Sequence, residues 1–307
     1  LTTRAVAWRD VVVRVLVTGG TGTLGRVVVR SLAAAGDEVH ALWHRQPPAP
    51  QPAVEWHQQD LTDFEATRRL IDRLHPEVVI HTAYARPDEP EVVTTTASAV
   101  IAEAGATVGA RLLHLSTDVV FDGTRGGYTE DDPIHPVSAY GRAKAEAERL
   151  VRDAHPAALI VRTSLIYRGA EPGPQERLVA DALDAALDHK RGLAFFTDEV
   201  RSVVQVDDLA AAVVELIPHT STGIIHVAGP EPISRYDFAC GLAVAAGRDP
   251  SRLRPASSAG LEPPRPQNCT LDSSRAAALL TTRLRGVTEV LALPPPPVAD
   301  PERQTRT

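Results

Sequence analysis

Val13-Arg14-Val15-Leu16-Val17-Thr18-Gly19-Gly20-Thr21-Gly22-Thr23-Leu24-Gly25 is the stretch that decides the fold. A β-branched apolar run stops at two glycines, and apolar residues then recur at Leu24, Val27, Val28 and Leu32 with the period of a helix. The spacing predicts a buried strand, a turn of the form G-x-x-G-x-x-G, and a helix over Thr23–Ala35 stopped by Gly36. Glycine leaves no Cβ between backbone and pyrophosphate, and the start of a helix offers unsatisfied N–H groups with partial positive charge. Gly19, Gly22, Thr23, Leu24 and Gly25 are therefore candidate phosphate contacts. A glycine turn alone is weak evidence; its place between strand and helix gives it meaning.

Outward from this unit the pattern repeats. Strands are expected at Glu38–Trp43, Val54–His57, Val78–Thr82, Arg111–Ser116 and Ala158–Thr163, with helices over Asp63–Leu74, up to Val108, and over Ser138–Ala154. Strands alternating with helices imply βαβ crossovers and a parallel sheet. The fold class is α/β, a Rossmann-like doubly wound parallel sheet with a smaller C-terminal substrate-binding domain. Residues 1–167 form the dinucleotide-binding part, to which a segment near 201–228 returns a strand at Gly223–Val227; 168–292 are mainly the substrate domain. A helix opens at Asp207 and Asp208, which read as its caps, and another covers Ile233–Ala246. Pro294–Pro297 and the polar residues after them, within 293–307, read as a disordered tail.

With 307 residues, 43% of them hydrophobic and 23% charged, the chain can bury a substantial core. A net charge of −7 speaks against nucleic acid or an anionic membrane as partner, and no apolar run approaches a membrane span. Leu1–Arg14 carries Arg4, Arg9 and Asp10 and does not read as a signal peptide, so a cytoplasmic location is the default expectation. Cys240 and Cys269 stand far apart and read as buried free thiols; no zinc or other metal cluster is legible along the chain. Lys144 and Lys190 are the only lysines.

Three places carry chemistry. The second strand ends in Trp43-His44-Arg45, with no acid to accept from a ribose 2′-hydroxyl. His44 and Arg45 suit a 2′-phosphate instead, so NADPH is expected over NADH, a solvated Arg45 being the bland reading. Asp60, with Leu61 beside it, is a candidate acceptor for the adenine amino group, helix capping being its competing role. Tyr140-Gly141-Arg142-Ala143-Lys144 places a phenol and an ammonium on one helix face. A phenol with an ordinary pKa near 10 is protonated at neutral pH and can donate to a developing alkoxide, while the ammonium steadies the phenolate. At the end of the preceding strand, Thr117 is the candidate hydroxyl for a substrate carbonyl, with Ser116 the fallback and a structural turn the alternative.

These segments together resemble the extended short-chain dehydrogenase/reductases and, within them, the dTDP-4-dehydrorhamnose reductase branch of sugar-nucleotide 4-ketoreductases. The resemblance rests on Gly19–Gly25, Ser116–Gly123, Tyr128–Pro133, Tyr140–Lys144, Val161–Tyr167 and Arg265–Asp272, in family order and over nearly all the chain to about residue 290. It implies hydride transfer from NADPH to the keto group of a nucleotide-linked 6-deoxysugar, dTDP being the expected nucleotide. Thr117, Tyr140 and Lys144 carry over as the catalytic triad, and Thr82, Ala83 and Tyr84 as cofactor contacts. Arg201 and Arg265 become candidates for the substrate diphosphate, with a salt bridge the competing role for each. A homodimer through the Tyr140 helix is a further implication. Two positions depart from the family: Val119 replaces its tyrosine and Leu165 its tryptophan, where both would touch the sugar. The hydride machinery is unaffected, but a rhamnose precursor as substrate is put in doubt.

A dehydratase of this superfamily shows Thr-Asp-Glu where this chain has Thr117-Asp118-Val119, which disfavours elimination. A sugar-nucleotide epimerase and a non-catalytic NADP-binding regulatory subunit are the remaining alternatives. Retention of Tyr140 and Lys144 in a lysine-poor chain favours an enzyme.

Overall fold

The computed structural model describes residues 12–84, 91–169, 172–187 and 193–293. Seven parallel strands form the central sheet: β1 (Arg14–Thr18), β2 (Glu38–Trp43), β3 (Val54–Gln58), β4 (Val78–His81), β5 (Arg111–Thr117), β6 (Leu159–Thr163) and β7 (Gly223–His226). Their spatial order is β3-β2-β1-β4-β5-β6-β7, which reverses direction between β1 and β4. In such a sheet the crevice beyond the carboxyl ends at that reversal is where ligands bind. The proposed tail from Pro294 lies outside the described residues.

Strand alternation sends successive side chains to opposite faces. Val15, Val17, Ile80 and Leu113 pack on one face against helices α1 (Gly25–Ala35) and α6 (Val206–Glu215). Leu16, Val79 and Leu112 pack on the other against α2 (Phe64–Leu74), α3 (Thr96–Thr107) and α4 (Ala139–Ala154). A separate core of Tyr167, Leu183, Phe195, Phe238 and Leu242 gathers α5 (Pro174–Leu187), α7 (Arg235–Ala245) and short strand pairs. No helix among the described residues is long and apolar enough to cross a membrane.

Three local expectations change. The helix expected from Ile233 begins at Arg235, because Ile233–Ser234 pair antiparallel with Val200–Arg201 and Ser234 Oγ accepts from the Asp237 amide at 2.9 Å as the cap. Neither Asp207 nor Asp208 caps α6: the Gln205 side chain accepts from both their amides at 2.7 and 2.9 Å. Asp208 instead receives the Arg285 guanidinium, with Nη2 at 2.7 Å. Both cysteines are free, but only Cys269 is buried; Cys240 is half-buried.

Candidate active site

A cleft of about 1340 Å³ runs along the carboxyl ends of the strands, from the glycine turn to the start of α7. Its near end is backbone. Gly19 sits at φ +67°, and a Cβ there would lie 2.9 Å from the Ala83 amide and from Thr82 Oγ1. A Cβ on Gly25 would collide with the Gly19 carbonyl, so both positions must stay bare. Helix α1 has no acid in its first turn and no side-chain cap. No described group accepts from the Thr23 or Leu24 amide, and Arg26 closes over the turn by donating to the Gly22 carbonyl at 3.1 Å. Free amides, a dipole end and a nearby guanidinium together fit a pyrophosphate.

His44, Arg45, Asp60 and Leu61 line this end of the cleft, as do Thr82, Ala83 and Tyr84. Asp60 neither caps α2 nor stands idle: Asp63 is the cap, accepting from Ala66 N at 2.9 Å, while Asp60 accepts from the Thr62 amide and hydroxyl at 2.9 and 2.8 Å. Those bonds, with His44 and Arg45 nearby, hold its carboxyl below the ordinary value.

Thr117, Tyr140 and Lys144 meet at mid-cleft. Ser138 starts α4 by accepting from the Gly141 amide at 3.0 Å, which aims Tyr140 at the cavity. Tyr140 is 41% exposed and lines the cleft, while its hydroxyl is desolvated by its surroundings. That desolvation, with Tyr84 and Asp118 adding to it, pushes the phenol pKa up; a hydrogen bond with Thr117 opposes the shift. The Tyr84 ring stands edge-on to Tyr140 at 6.0 Å. Thr117 Oγ1 is itself fixed, donating to Asp118 Oδ1 at 3.1 Å. Lys144 is buried at 3% exposure, and its Nζ donates to the Leu115 carbonyl at 2.8 Å. Burial lowers its pKa to about 8, against the pull of Glu148.

Beneath the triad lies a polar knot that the sequence reading missed. Glu148 is fully buried and receives Arg162 through two bonds, Nε to Oε1 at 3.0 Å and Nη2 to Oε2 at 2.8 Å. Ser116 Oγ also donates to Glu148, at 2.5 Å. The fallback hydroxyl is therefore spent inside the fold on Glu148, whereas Thr117 stands beside the Tyr140 hydroxyl in the cleft. The signal was legible: Glu148 follows Lys144 by four residues, on the same helix face.

The far end is lined by Arg201, Arg235, Arg265, Glu199 and Leu165, with Val119 nearer the triad. Arg201 is a bracing group, donating to the carbonyls of Val200, Gln267 and Pro266 at 2.8, 2.6 and 2.8 Å. Its Nε faces Asp118 at 3.7 Å, which leaves little for an anion. Arg265 pairs with buried Glu199 and lies over Phe196, its guanidinium carbon 5.0 Å from the ring centre. Arg235, which had no local sequence signal, lines the same corner, and no hydrogen-bonded or ion-paired partner for its guanidinium is found among the described residues. Burial and the neighbouring Arg201 and Arg265 lower its pKa, with Glu199 opposing.

Glycine cradle, reversed sheet and Tyr-Lys helix define a dinucleotide-dependent oxidoreductase fold of the short-chain type. The family described as RmlD substrate binding domain matches residues 13–293, and the chain belongs to it. It is 35% identical over 296 residues to a dTDP-4-dehydrorhamnose reductase of Mycolicibacterium smegmatis, covering 91% of this chain and 84% of that one. It is 30% identical over 280 residues to the methionine adenosyltransferase 2 subunit beta of Rattus norvegicus, covering 87% and 82%. A crystal structure of a hypothetical dTDP-4-dehydrorhamnose reductase from Sulfolobus tokodaii superposes with a TM-score of 0.74 at 29% identity, covering 89% of this chain and 96% of that one.

Proposed function

We propose that this protein reduces the keto group of a nucleotide-linked deoxysugar with NADPH, as a 4-ketoreductase. The observation that carries the reading is Tyr140 held by Thr117 in the cleft that the glycine turn opens. NADPH, when bound, supplies the hydride. Gly19, Gly22, Thr23, Leu24 and Gly25 hold its pyrophosphate, and His44 and Arg45 receive the 2′-phosphate. Thr117 positions the substrate carbonyl oxygen. Tyr140, kept protonated by its desolvated setting, passes its proton to that oxygen as the hydride reaches the carbon. Lys144 lowers the cost of the phenolate left behind.

Arg235 takes the substrate diphosphate, with Arg265 beside it, since Arg201 is committed to carbonyls. Val119 and Leu165 line the cleft with aliphatic side chains where the reductase resemblance places a tyrosine and a tryptophan, so the accepted sugar differs from one that needs those two rings. The likeness to methionine adenosyltransferase 2 subunit beta does not displace this reading, because a chain that only bound the dinucleotide would need no desolvated phenol beside a buried lysine. The test is a panel of dTDP- and UDP-linked 4-keto-6-deoxysugars, following NADPH absorbance. Oxidation with at least one of them is expected, and its absence across the panel despite tight NADPH binding overturns the catalytic role.

A further inference from the structure

Away from the cleft, β2 and β3 bring together four side chains that lie apart in sequence. The register sets His40 opposite Glu55 and Leu42 opposite His57, so alternate residues of both strands share one face. His40 Nδ1 lies 3.0 Å from His57 Nε2. Glu55 reaches both rings, with Oε2 at 3.5 Å from His40 Nδ1 and Oε1 at 3.6 Å from His57 Nε2. Glu38 Oε1 meets the other nitrogen of His40, Nε2, at 3.2 Å, and is anchored by Arg14 Nε at 2.7 Å.

We infer that His40, His57 and Glu55 form a binding site for a divalent transition ion of the zinc type, with Glu38 orienting His40. An ion held about 2.0–2.2 Å from three ligands at tetrahedral angles separates those ligands by about 3.3–3.6 Å. The two Glu55 oxygens, at 3.5 Å from His40 and 3.6 Å from His57, fall within that range, and the 3.0 Å between the imidazole nitrogens has to open by a few tenths of an ångström to admit the ion. With His40 in the tautomer that donates its Nε2–H to Glu38, Nδ1 presents a lone pair, the carboxylate–histidine arrangement that fixes a metal-bound imidazole. His57 Nε2 then points at a second lone pair, which needs either a shared proton or an ion between them. Two imidazoles and one carboxylate favour zinc, cobalt or nickel over magnesium or calcium. His40 is 4% exposed, whereas the Glu55 side chain is 65% exposed, so a fourth position is open to water.

The ion would staple edge strand β3 to β2. That matters because Trp56, between the two β3 ligands, packs against the glycine turn: a Cβ on Gly20 would lie 2.9 Å from its ring. None of the four residues lines the cleft, so the site is separate from the reducing centre. Along the sequence the ligands are invisible as a group, because Glu38 and His40 lie on one strand and Glu55 and His57 on the next.

The experiment takes the full chain, stripped with chelator, and titrates it with zinc by calorimetry and with cobalt by visible absorption. One ion per chain and the d–d bands of tetrahedral cobalt, displaced by zinc, are expected. His57→Gln and Glu55→Gln, both at partly or fully exposed positions, should each weaken zinc at least tenfold while NADPH affinity is unchanged. His219→Gln, on an unrelated loop, should leave the titration as it was. Failure of the parent chain to bind one zinc, or full affinity in either ligand variant, overturns the proposal.

Discussion

Along the glycine turn the cleft is made of backbone, whereas across it the wall is arginine and carboxylate. At the near end Gly19 and Gly25 have no room for a Cβ, and the Thr23 and Leu24 amides have no acceptor among the described residues. At the far end Arg201, Arg235 and Arg265 stand against Glu199 and Asp118. A backbone cradle recognises any pyrophosphate and depends little on side-chain identity. The charged wall depends on which guanidinium is already satisfied, and there two of three are braced within the fold. The triad sits between them, so the comparison can be broken at its hinge first.

Tyr140→Phe removes the proposed proton donor at mid-cleft and should lower turnover about 10²- to 10⁴-fold. NADPH affinity, owed to the backbone end, should hold within a factor of two or so by fluorescence titration. Unchanged turnover would move the acid elsewhere. Glu148→Ala strikes the support below: Arg162 is left buried without its partner, which costs about 3–5 kcal/mol of stability by denaturant melt. A loss under 1 kcal/mol would mean that Arg162 finds another acceptor.

The two ends also differed in how much the sequence revealed. The turn was legible because its chemistry is contiguous: strand, glycines and helix follow one another without interruption from Arg14 to Ala35. Tyr140 and Lys144 were legible because helical spacing alone puts them on one face. Arg201 illustrates the opposite case. Its residue type suited an anion, but the carbonyls that consume it belong to residues 200, 266 and 267, two of them far away along the chain. Thr117 was the preferred hydroxyl in sequence and Ser116 the fallback, and strand alternation, which turns Ser116 toward Glu148, gives the physical reason for that order.

Arg235→Ala sharpens the contrast from the other side. Loss of a charge-assisted bond of about 1.5–3 kcal/mol should raise KM for the sugar nucleotide about 10- to 100-fold, with KM for NADPH untouched. A matching Arg45→Ala should do the reverse, weakening NADPH far more than NADH. An equal rise in both constants for either variant would show that the two ends are not independent.

The smallest effect is a pH dependence, and its direction follows from where Lys144 sits. Burial lowers its pKa to about 8 from the ordinary 10.5. Its protonated form supports the phenolate, so kcat/KM should fall as pH rises through about 8, roughly tenfold per unit beyond it. Stability runs the other way. Between about 8 and 10.5 the unfolded chain still binds this proton and the folded chain does not, so the contribution of Lys144 to stability rises with pH across that window. Lys144→Met should abolish this part of the stability rise, a difference read by comparing melts of parent and variant at pH 7.5 and 9.5. Because Glu148 is the group that opposes the shift, Glu148→Gln should move the activity limb to lower pH. An unmoved limb would separate the ammonium from the knot beneath it and assign the titration to another group.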